Sequence, residues 1–170
     1  MRNEEVSATN GRAVIDPSEP VVAAGHGAWT ITYTAGPDGI AVGGSVRFEF
    51  PYGFTLPQLL WPVDQGYVSA ACSRRDVRLQ LSLEPPVKLD PEPFYYVTRW
   101  GRMVYVQVLG QALRKGDTVA LSYGHTRTLN PTVYAPHFAQ RLEFTVATDV
   151  TGTREAPFSG YRLVSEQPTL

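Results

Sequence analysis

The sequence predicts an all-β fold: a single antiparallel β-sandwich with an immunoglobulin-like arrangement and two long irregular loops. Apolar and polar residues alternate with a period of two in many segments, and no segment of comparable length has the 3.6-residue period of an amphipathic helix. Fifteen glycines and 14 prolines separate the alternating segments. Strands with one apolar face need a facing sheet to bury it, which two packed sheets provide. A closed barrel is the alternative.

Six segments alternate clearly enough to predict strands, namely residues 29–34, 45–50, 77–83, 104–108, 119–123 and 142–146. Weaker candidates lie near Val21, Tyr67, Tyr95 and Tyr161. Successive side chains of a strand point to opposite faces. We therefore expect one inward-facing residue from each strong strand to enter a common core: Trp29, Phe48, Leu79, Val106, Leu121 and Phe144.

The length of 170 residues is that of one ordinary domain. Residues 1–18 lack periodicity and are predicted to form a flexible N-terminal arm, which leaves residues 19–170 for the sandwich. The first two strong strands are separated by GPDGIAVGG, residues 36–44. Pro37 restricts φ and Gly39 permits a positive φ, so this segment is interpreted as a tight turn within a hairpin or crossover connection.

Charge and hydropathy exclude several classes of partner. The formal net charge of −1 provides no general attraction to nucleic acid or to anionic lipid. No apolar run approaches the roughly 20 residues that span a bilayer. The first ten residues are polar and do not form a secretory signal. A soluble, cytoplasmic protein is the expectation, unless the sequence derives from a longer precursor.

No motif for a metal, a cofactor or a catalytic residue stands out. The three histidines are isolated in sequence, so a metal site would have to combine distant loops, for example His125, His137 and a carboxylate. Cys72 is the only cysteine, and we interpret it as a small residue at the end of a strand rather than an activated thiolate. No Gly-x-Ser-x-Gly motif occurs. We predict no catalytic residue and no cofactor.

The only basic cluster consists of Arg74, Arg75 and Arg78. Such a cluster could bind a phosphate or a carboxylate. Charge on a strand edge also protects a sheet from edge-to-edge aggregation, and we favour that interpretation.

Aromatic residues on the two long connections are the best candidates for a recognition surface. Large amphipathic rings supply contact area at little conformational cost, and the prolines of the second connection reduce its flexibility. The candidate binding residues are Trp61, Tyr95, Tyr96, Arg99, Trp100 and His125. Alternatively, the rings fold back into a satellite core, which we favour for Phe54 and Phe94.

The segments GAWTITYTAGPDGIAVGGSVRFEF, LRKGDTVALSYG and RLEFTVATDVTG, followed by SEQPTL, resemble one bacterial protein family. The chain is similar, over about residues 20–170, to the N-terminal β-sandwich region of a large uncharacterised family defined by a domain of unknown function. In full-length members this region precedes a metallohydrolase-like domain related to the PHP phosphoesterases. The family's metal-binding segment, of the type Gly-Asp-Leu-His-Gly, has no counterpart here. The resemblance therefore implies a sandwich module without its enzyme.

Three hypotheses for the function follow. The leading one is a non-catalytic accessory module that packs against a partner protein, such as a neighbouring hydrolase subunit or domain, or binds a ligand such as a glycan through its aromatic loops. The second is a small enzyme or ligand-binding protein with a pocket between the sheets. The third is a structural subunit of an assembly. None involves nucleic acid or a membrane.

Overall fold

The computed structural model describes residues 10–84, 102–124 and 133–152, and the backbone of a strand at 162–166. Within these ranges the chain forms eleven strands: β1 Gly11–Asp16, β2 His26–Gly27, β3 Trp29–Ala35, β4 Ser45–Glu49, β5 Val68–Cys72, β6 Arg78–Ser82, β7 Met103–Leu109, β8 Thr118–Tyr123, β9 Val133–Tyr134, β10 Thr145–Asp149 and β11 Arg162–Glu166. The described residues contain no helix that is long and apolar enough to cross a membrane.

Two antiparallel sheets pack against each other. One has the order β1-β3-β8-β5 and the other the order β11-β10-β4-β7-β6, while β2 and β9 form a separate two-stranded pair. Strand β1 lies near β11, and β5 lies near β6, so the edges of the two sheets approach each other on both sides. The two sheets are separate hydrogen-bonded units among the described residues. The predicted antiparallel sandwich is confirmed, and the barrel is not the architecture.

Five of the six strongly alternating segments correspond to β3, β4, β6, β7 and β8. The sixth, residues 142–146, is a strand only at its end, because β10 begins at Thr145. The weaker candidates near Tyr67 and Tyr161 correspond to β5 and β11. The strand predicted near Val21 is wrong, because the Gly25 amide donates to the Val22 carbonyl oxygen at 2.8 Å and the chain turns there. The candidate near Tyr95 lies outside the described residues.

The inner faces of the two sheets form one continuous core. Five of the six residues predicted to meet there are buried with at most 3% of their surface exposed: Trp29, Phe48, Val106, Leu121 and Phe144. Leu79, on the edge strand β6, is partly buried and packs against the same cluster. The period-two pattern therefore identified the core, since alternation assigns each residue to a face.

The outer face of the five-stranded sheet differs from the prediction. Alternation predicts a wet face opposite Val104 and Val106, yet Met103 and Tyr105 on that face are buried, as is Ala147 on β10. The Tyr105 hydroxyl donates to the Met103 Sδ atom at 3.3 Å. Both faces of this sheet are therefore buried near its middle.

Residues 36–44 cross from one sheet to the other. The Gly39 amide donates to the Gly36 carbonyl oxygen at 3.0 Å, and Ile40 and Leu113 exchange backbone hydrogen bonds of 3.0 and 2.9 Å. Gly39 has a φ of +63°, and a Cβ atom at this position would lie 2.1 Å from the Leu113 carbonyl oxygen. The turn predicted from Pro37 and Gly39 is present, and only glycine fits at position 39. Of the two connections left open, the segment forms the crossover, because β3 and β4 belong to different sheets.

The N-terminal segment corrects the predicted domain boundary. Strand β1 pairs with β3 from Gly11 opposite Ala35 to Asp16 opposite Thr30. The Tyr33 hydroxyl donates to the Asn10 carbonyl oxygen at 2.9 Å. The prediction of a flexible arm over residues 1–18 is therefore wrong for residues 10–16. Only Ala13 and Ile15 of β1 enter the core, and two inward residues are too few to show a clear period.

Two adjacent residues test whether β1 contributes to the fold. Ile15 is 5% exposed on the core side of β1, whereas Val14 is 54% exposed on the other side. We expect Ile15→Ala to lower the free energy of unfolding by about 2–5 kcal/mol, because it deletes buried methyl groups. Val14→Ala should change it by no more than about 0.5 kcal/mol. Urea denaturation measures both, and equal values for the two variants would contradict the placement of β1.

Burial of Tyr33 predicts a loss of stability in alkaline solution. Burial raises the pKa of Tyr33 to about 12, against an ordinary value of 10.0. The unfolded chain therefore releases this proton at a lower pH than the folded chain, so the contribution of Tyr33 to stability is constant below about pH 9 and falls as the pH rises through 10. In urea denaturation between pH 8 and 11.5, Tyr33→Phe should start less stable by about 1 kcal/mol and fall less steeply. Parallel curves for the two proteins would contradict this assignment.

Candidate functional site

Three loops meet at one end of the sandwich, which we call the aromatic end: residues 20–28, 50–67 and 133–144. Strands β3 and β5 begin at this end, and β4 and β8 end there. The Ala24 amide donates to the Pro136 carbonyl oxygen, and the Ala135 amide donates to the Gly25 carbonyl oxygen, both at 2.9 Å. The Tyr134 amide donates to the Thr55 Oγ1 atom at 2.8 Å. The three loops are thus joined to one another and not only to the strands.

An aromatic cluster lies beneath these loops and closes the core. The Phe54 ring is 5.4 Å from the Trp29 ring and 5.2 Å from the Phe144 ring, between centroids. The Phe50 ring is 4.5 Å from that of Tyr123. The Tyr123 hydroxyl donates to the Thr55 carbonyl oxygen, and burial raises the pKa of Tyr123 far above its ordinary value. Tyr123 therefore stays protonated and holds the 50–67 loop to β8.

The side chain of Gln58 organises the part of this loop that we call the Trp61 loop, residues 56–67. Its Oε1 atom accepts hydrogen bonds from the Leu60 and Trp61 amides at 2.8 and 2.9 Å. Its Nε2 atom donates to the Trp61 carbonyl oxygen at 2.7 Å. The backbone amide of Gln58 donates to the Gly66 carbonyl oxygen at 2.9 Å, which closes the loop at its base. One side chain thus satisfies the backbone of the turn, as side-chain hydrogen bonds do in compact loops.

The tip of the Trp61 loop is apolar and exposed. Leu60 is 78% exposed, Trp61 63% and Val63 67%. Ten large apolar side chains of the described residues are exposed, and eight of them belong to the aromatic end: Val22, Tyr52, Leu56, Leu60, Trp61, Val63, Tyr134 and Phe138. Single exposed apolar residues are ordinary, but a concentration on one end of a domain indicates an interaction surface.

A small apolar cleft opens among the three loops of the aromatic end. Its volume is about 40 Å³, and its walls include Val21, Phe54, Pro136, Phe138 and Leu142. Since a buried water needs roughly 10–15 Å³, the cleft has room for a few waters or for the end of one aliphatic side chain. It is too small for a drug-sized ligand, whose pockets measure roughly 300–1,000 Å³.

The aromatic end carries few charged side chains. Asp64 is the only charged side chain between residues 51 and 67. Residues 133–144 contain Arg141, Glu143 and His137. The His26 ring lies 3.9 Å from the Tyr134 ring, and the His137 ring is stacked 6.5 Å away on the same tyrosine, between centroids. The Trp61 loop therefore carries one acidic side chain, whereas the 133–144 loop carries Arg141 and Glu143, whose charges balance.

Of the residues predicted to bind a partner, Trp61 is exposed at the tip of its loop. The other five lie outside the described residues and stay predictions: Tyr95, Tyr96, Arg99, Trp100 and His125. Strands β6 and β7, which flank the connection with the first four, meet at the aromatic end, where Ser82 pairs with Tyr105. Phe54, which we assigned to a satellite core, is 4% exposed and belongs to the main core, so its burial is confirmed.

The sequence analysis missed Gln58, Leu60, Val63 and Phe138. The only signal in the sequence is QLLWPV, residues 58–63, an uncharged apolar run without alternation inside a proline-containing loop. Such a run fits a buried segment equally well, because composition alone does not determine exposure. Phe138 is far from Trp61 in sequence, and only the folding of the chain brings their loops together.

Arg74 and Cys72 lie at or just after the end of β5, away from the aromatic end. Arg74 donates to Asp76, to Asp117 at 3.3 Å and to the Ala112 carbonyl oxygen at 3.1 Å, so it joins two turns at the opposite end of the sandwich. Its hydrogen bond lowers the pKa of Asp76. Cys72 is the last residue of β5 and is half-buried. The part of the chain that the structure describes contains no group of three or more His, Cys, Asp or Glu that could hold a metal ion.

Comparisons with known proteins add no assignment. No protein-family model matches the chain, and no curated protein matches it. The resemblance to the N-terminal region of a hydrolase-containing family therefore stays a prediction, and the candidate site depends on its geometry.

Removing the Gln58 side chain should loosen the Trp61 loop without unfolding the domain. We expect Gln58→Ala to speed hydrogen exchange of the Leu60 and Trp61 amides at least about tenfold, because each loses its acceptor, while strand amides keep their protection. Gln65→Ala is the matched control, since Gln65 lies on the same loop and is exposed. NMR-detected exchange measures the effect. Unchanged exchange in Gln58→Ala would show that the loop does not depend on this side chain.

Proposed function

We propose that this chain is a non-catalytic β-sandwich module that binds a protein partner through its aromatic end. One observation carries the proposal: eight of the ten exposed large apolar side chains among the described residues are gathered on three interlocked loops. Burying such a surface against a partner is favourable, since apolar area leaves water.

The construction of the Trp61 loop supports binding by a preorganised surface. The side-chain amide of Gln58 fixes the backbone of the turn that carries Leu60 and Trp61. Less conformational entropy is then lost when a partner docks. Tryptophan is also the side chain most enriched at the energetic centres of protein interfaces. Trp61 is therefore the residue on which we expect binding to depend most.

A protein partner is favoured over a glycan. Sugar hydroxyls need free hydrogen-bonding groups beside the aromatic ring, and both ends of the Gln58 amide are already engaged within the loop. Leu60, Pro62 and Val63, next to Trp61 in the chain, have side chains that offer no hydrogen bonds, and the first polar side chains beyond them are Asp64 and Gln65. Aliphatic side chains next to an exposed tryptophan fit an apolar protein surface better.

A module is also favoured over an enzyme with a pocket between the sheets. The inner-face residues of the described strands belong to one continuous buried cluster. Phe48, Val106 and Leu121, at the centre of the two sheets, have no exposed surface. Interiors packed in this way leave no room for a substrate.

The partner implied by the resemblance is a metallohydrolase domain or subunit, and we include it in the proposal as the first candidate to test. Catalysis would then belong to that partner. The aromatic end of this chain would supply the docking surface.

We further propose that the sandwich is a variant of the immunoglobulin arrangement. In support, the orders β1-β3-β8-β5 and β11-β10-β4 correspond to the A-B-E-D and G-F-C sheets of immunoglobulin domains, with the strands in the same chain order. The pair β6–β7 is then an insertion between the fourth and fifth strands. It extends the second sheet beyond β4.

Site-directed photo-cross-linking tests the proposed function. A benzophenone amino acid replaces Trp61 in the full chain, and a matched variant carries it at Val42, which is 51% exposed and lies on the crossover that follows β3. Expressed in the source organism, the position-61 protein should cross-link to one defined protein, and the position-42 protein should not. Adding Gln58→Ala should reduce the yield at position 61.

The affinity for the cross-linked protein then decides the result. Once that protein is purified, Trp61→Ala should weaken binding at least about tenfold by calorimetry, with a melting temperature within about 2 °C of wild type. Val42→Ala should bind as wild type does. Equal cross-linking at positions 61 and 42, or an unchanged affinity in Trp61→Ala, would refute the proposal.

A further inference from the structure

Strand β5 is an edge strand whose outer backbone groups are unused. It lies at the end of the β1-β3-β8-β5 sheet and pairs with β8. The Ser73 amide, just after β5, donates to the Thr118 carbonyl oxygen of β8 at 3.0 Å. Alternate residues of an antiparallel strand direct their backbone groups to the same side. The N–H and C=O groups of Ala70 and Cys72 therefore face away from β8, and no described residue bonds to them.

The free part of this edge is short and symmetric. At one end, the Val68 amide also faces away from β8 and donates to the Gln58 carbonyl oxygen at 2.9 Å, so the Trp61 loop occupies the edge there. At the other end, the chain leaves for the facing sheet, where β6 begins at Arg78. Residues 69–73 are left between them. Their sequence, SAACS, is nearly the same in both directions about Ala71.

We propose that a second copy of this chain pairs with this edge, with the two β5 strands antiparallel about a two-fold axis at Ala71. In a two-fold dimer, residue i of one copy contacts residue j of the other, and j contacts i. Ala70 of each copy then lies opposite Cys72 of the other, and the two residues exchange both backbone hydrogen bonds. Every edge-facing group of residues 70 and 72 is thereby satisfied in both copies. The two four-stranded sheets join into one continuous sheet.

The side chains of residues 69–73 fit this register. Ser69, Ala71 and Ser73 are exposed on the outer face of the sheet. At the axis, the two copies of Ala71 form a pair without backbone hydrogen bonds, whose Cα atoms are only about 4.5 Å apart, so a small side chain is needed. Ser69 lies opposite Ser73 of the other copy, and serine hydroxyls hydrogen-bond across strands. The Ser73 Oγ atom accepts from the Thr118 amide at 2.9 Å, which leaves its proton to donate.

Strand β5 differs in charge from the other edge strands of the two main sheets. Charged side chains on an edge strand oppose edge-to-edge pairing. The other three edges carry them: Arg12 and Asp16 on β1, Arg78 on β6, and Arg162 and Glu166 on β11. The sequence of β5, VSAAC, contains no charge. It can therefore meet a copy of itself without repulsion.

The charges beside the pairing are complementary between the two copies. In this register Val68 of one copy lies opposite Arg74 of the other, so the Trp61 loop of one adjoins the end of β5 of the other. Residues 50–68 carry Asp64 as their only charged side chain. The end of β5 and the turn that Arg74 binds carry four basic and two acidic side chains: Arg74, Arg75, Arg114, Lys115, Asp76 and Asp117. Net charges of opposite sign therefore adjoin at both ends of the pairing, which supports a second copy as the occupant.

This pairing goes beyond the proposed function and does not depend on it. Strand β5 begins at the aromatic end, and paired antiparallel strands run in opposite directions. The aromatic ends of the two copies therefore point away from each other. With the proposed function, the dimer would join two partner molecules.

A charge placed at the axis tests the pairing. Sedimentation velocity of the purified full chain over a concentration series should show a dimer for wild type. Ala71→Lys should weaken dimerisation at least about tenfold, because like charges then meet at the axis. An equimolar mixture of Ala71→Lys and Ala71→Glu should regain the dimer, since the charges at the axis become opposite. Gln80→Lys, at an exposed position of the edge strand β6, is the matched control and should dimerise as wild type does.

Disulfide cross-linking tests the register. In a chain with Cys72→Ser, Ala71→Cys should form an intermolecular disulfide in a glutathione redox buffer, because disulfides join Cα atoms about 4.4–6.8 Å apart. Ser69→Cys alone should not, because residue 69 of one copy lies opposite residue 73 of the other. A mixture of Ser69→Cys and Ser73→Cys should form the disulfide.

Three outcomes would overturn the inference: a wild-type chain that is monomeric at every concentration, an Ala71→Lys protein that dimerises as wild type does, or a Ser69→Cys protein that cross-links to itself as readily as Ala71→Cys does. Circular dichroism checks that each variant is folded, and the cysteine variants test the pairing even if Ala71→Lys does not fold. Dimerisation is measured without the partner of the aromatic end, so this inference and the proposed function can each fail alone.

Discussion

The packing of Phe54 against Trp29 and Phe144 is the interaction on which the rest of the aromatic end depends. The ring of Phe54 comes from a loop, whereas Trp29 is the first residue of β3 and Phe144 immediately precedes β10 of the opposite sheet. Burying Phe54 closes the core and anchors the loop, so the residues that follow it begin from a defined position. The Tyr123 hydroxyl strengthens this anchor by donating to Thr55. Without the anchor, the exposed tip of the Trp61 loop would have no fixed orientation.

Different interactions hold the loops in place at the two ends of the sandwich. At the opposite end, Arg74 joins two turns through Asp76, Asp117 and a carbonyl oxygen, and the exposed side chains there include Arg114 and Lys115 as well as Val42. Water solvates such an end well, and exposed ion pairs contribute little stability. At the aromatic end, hydrogen bonds are used inside the loops and apolar side chains face solvent. That asymmetry is the strongest physical reason to assign binding to one end.

The sequence predicted the fold better than the candidate site. Buried residues of a strand recur with a period of two, whereas the exposed residues of a loop follow no period. In β3 and β4 the alternation spans whole strands, and the residues it assigned to the core are buried. In β1 only Ala13 and Ile15 face inward, so a strand was mistaken for part of an arm. On β7 the pattern assigned Met103 and Tyr105 to a wet face, although both are buried. The period-two pattern assigns residues to the two faces of a sheet, but it does not show whether another segment of the chain covers the outer face.

Sequence alone determined the all-β architecture, the core-facing residues of the main strands and the turn at Gly39, because each of these follows from neighbouring residues. Tertiary structure decided which apolar residues stay exposed. Phe54 and Trp61 lie in one loop, yet Phe54 is buried and Trp61 is exposed. It also joined the 133–144 loop to the 50–67 loop through Tyr134 and Thr55 and gave Gln58 its role at the turn. These features depend on contacts between segments distant in the chain. Local periodicity carries no information about such contacts.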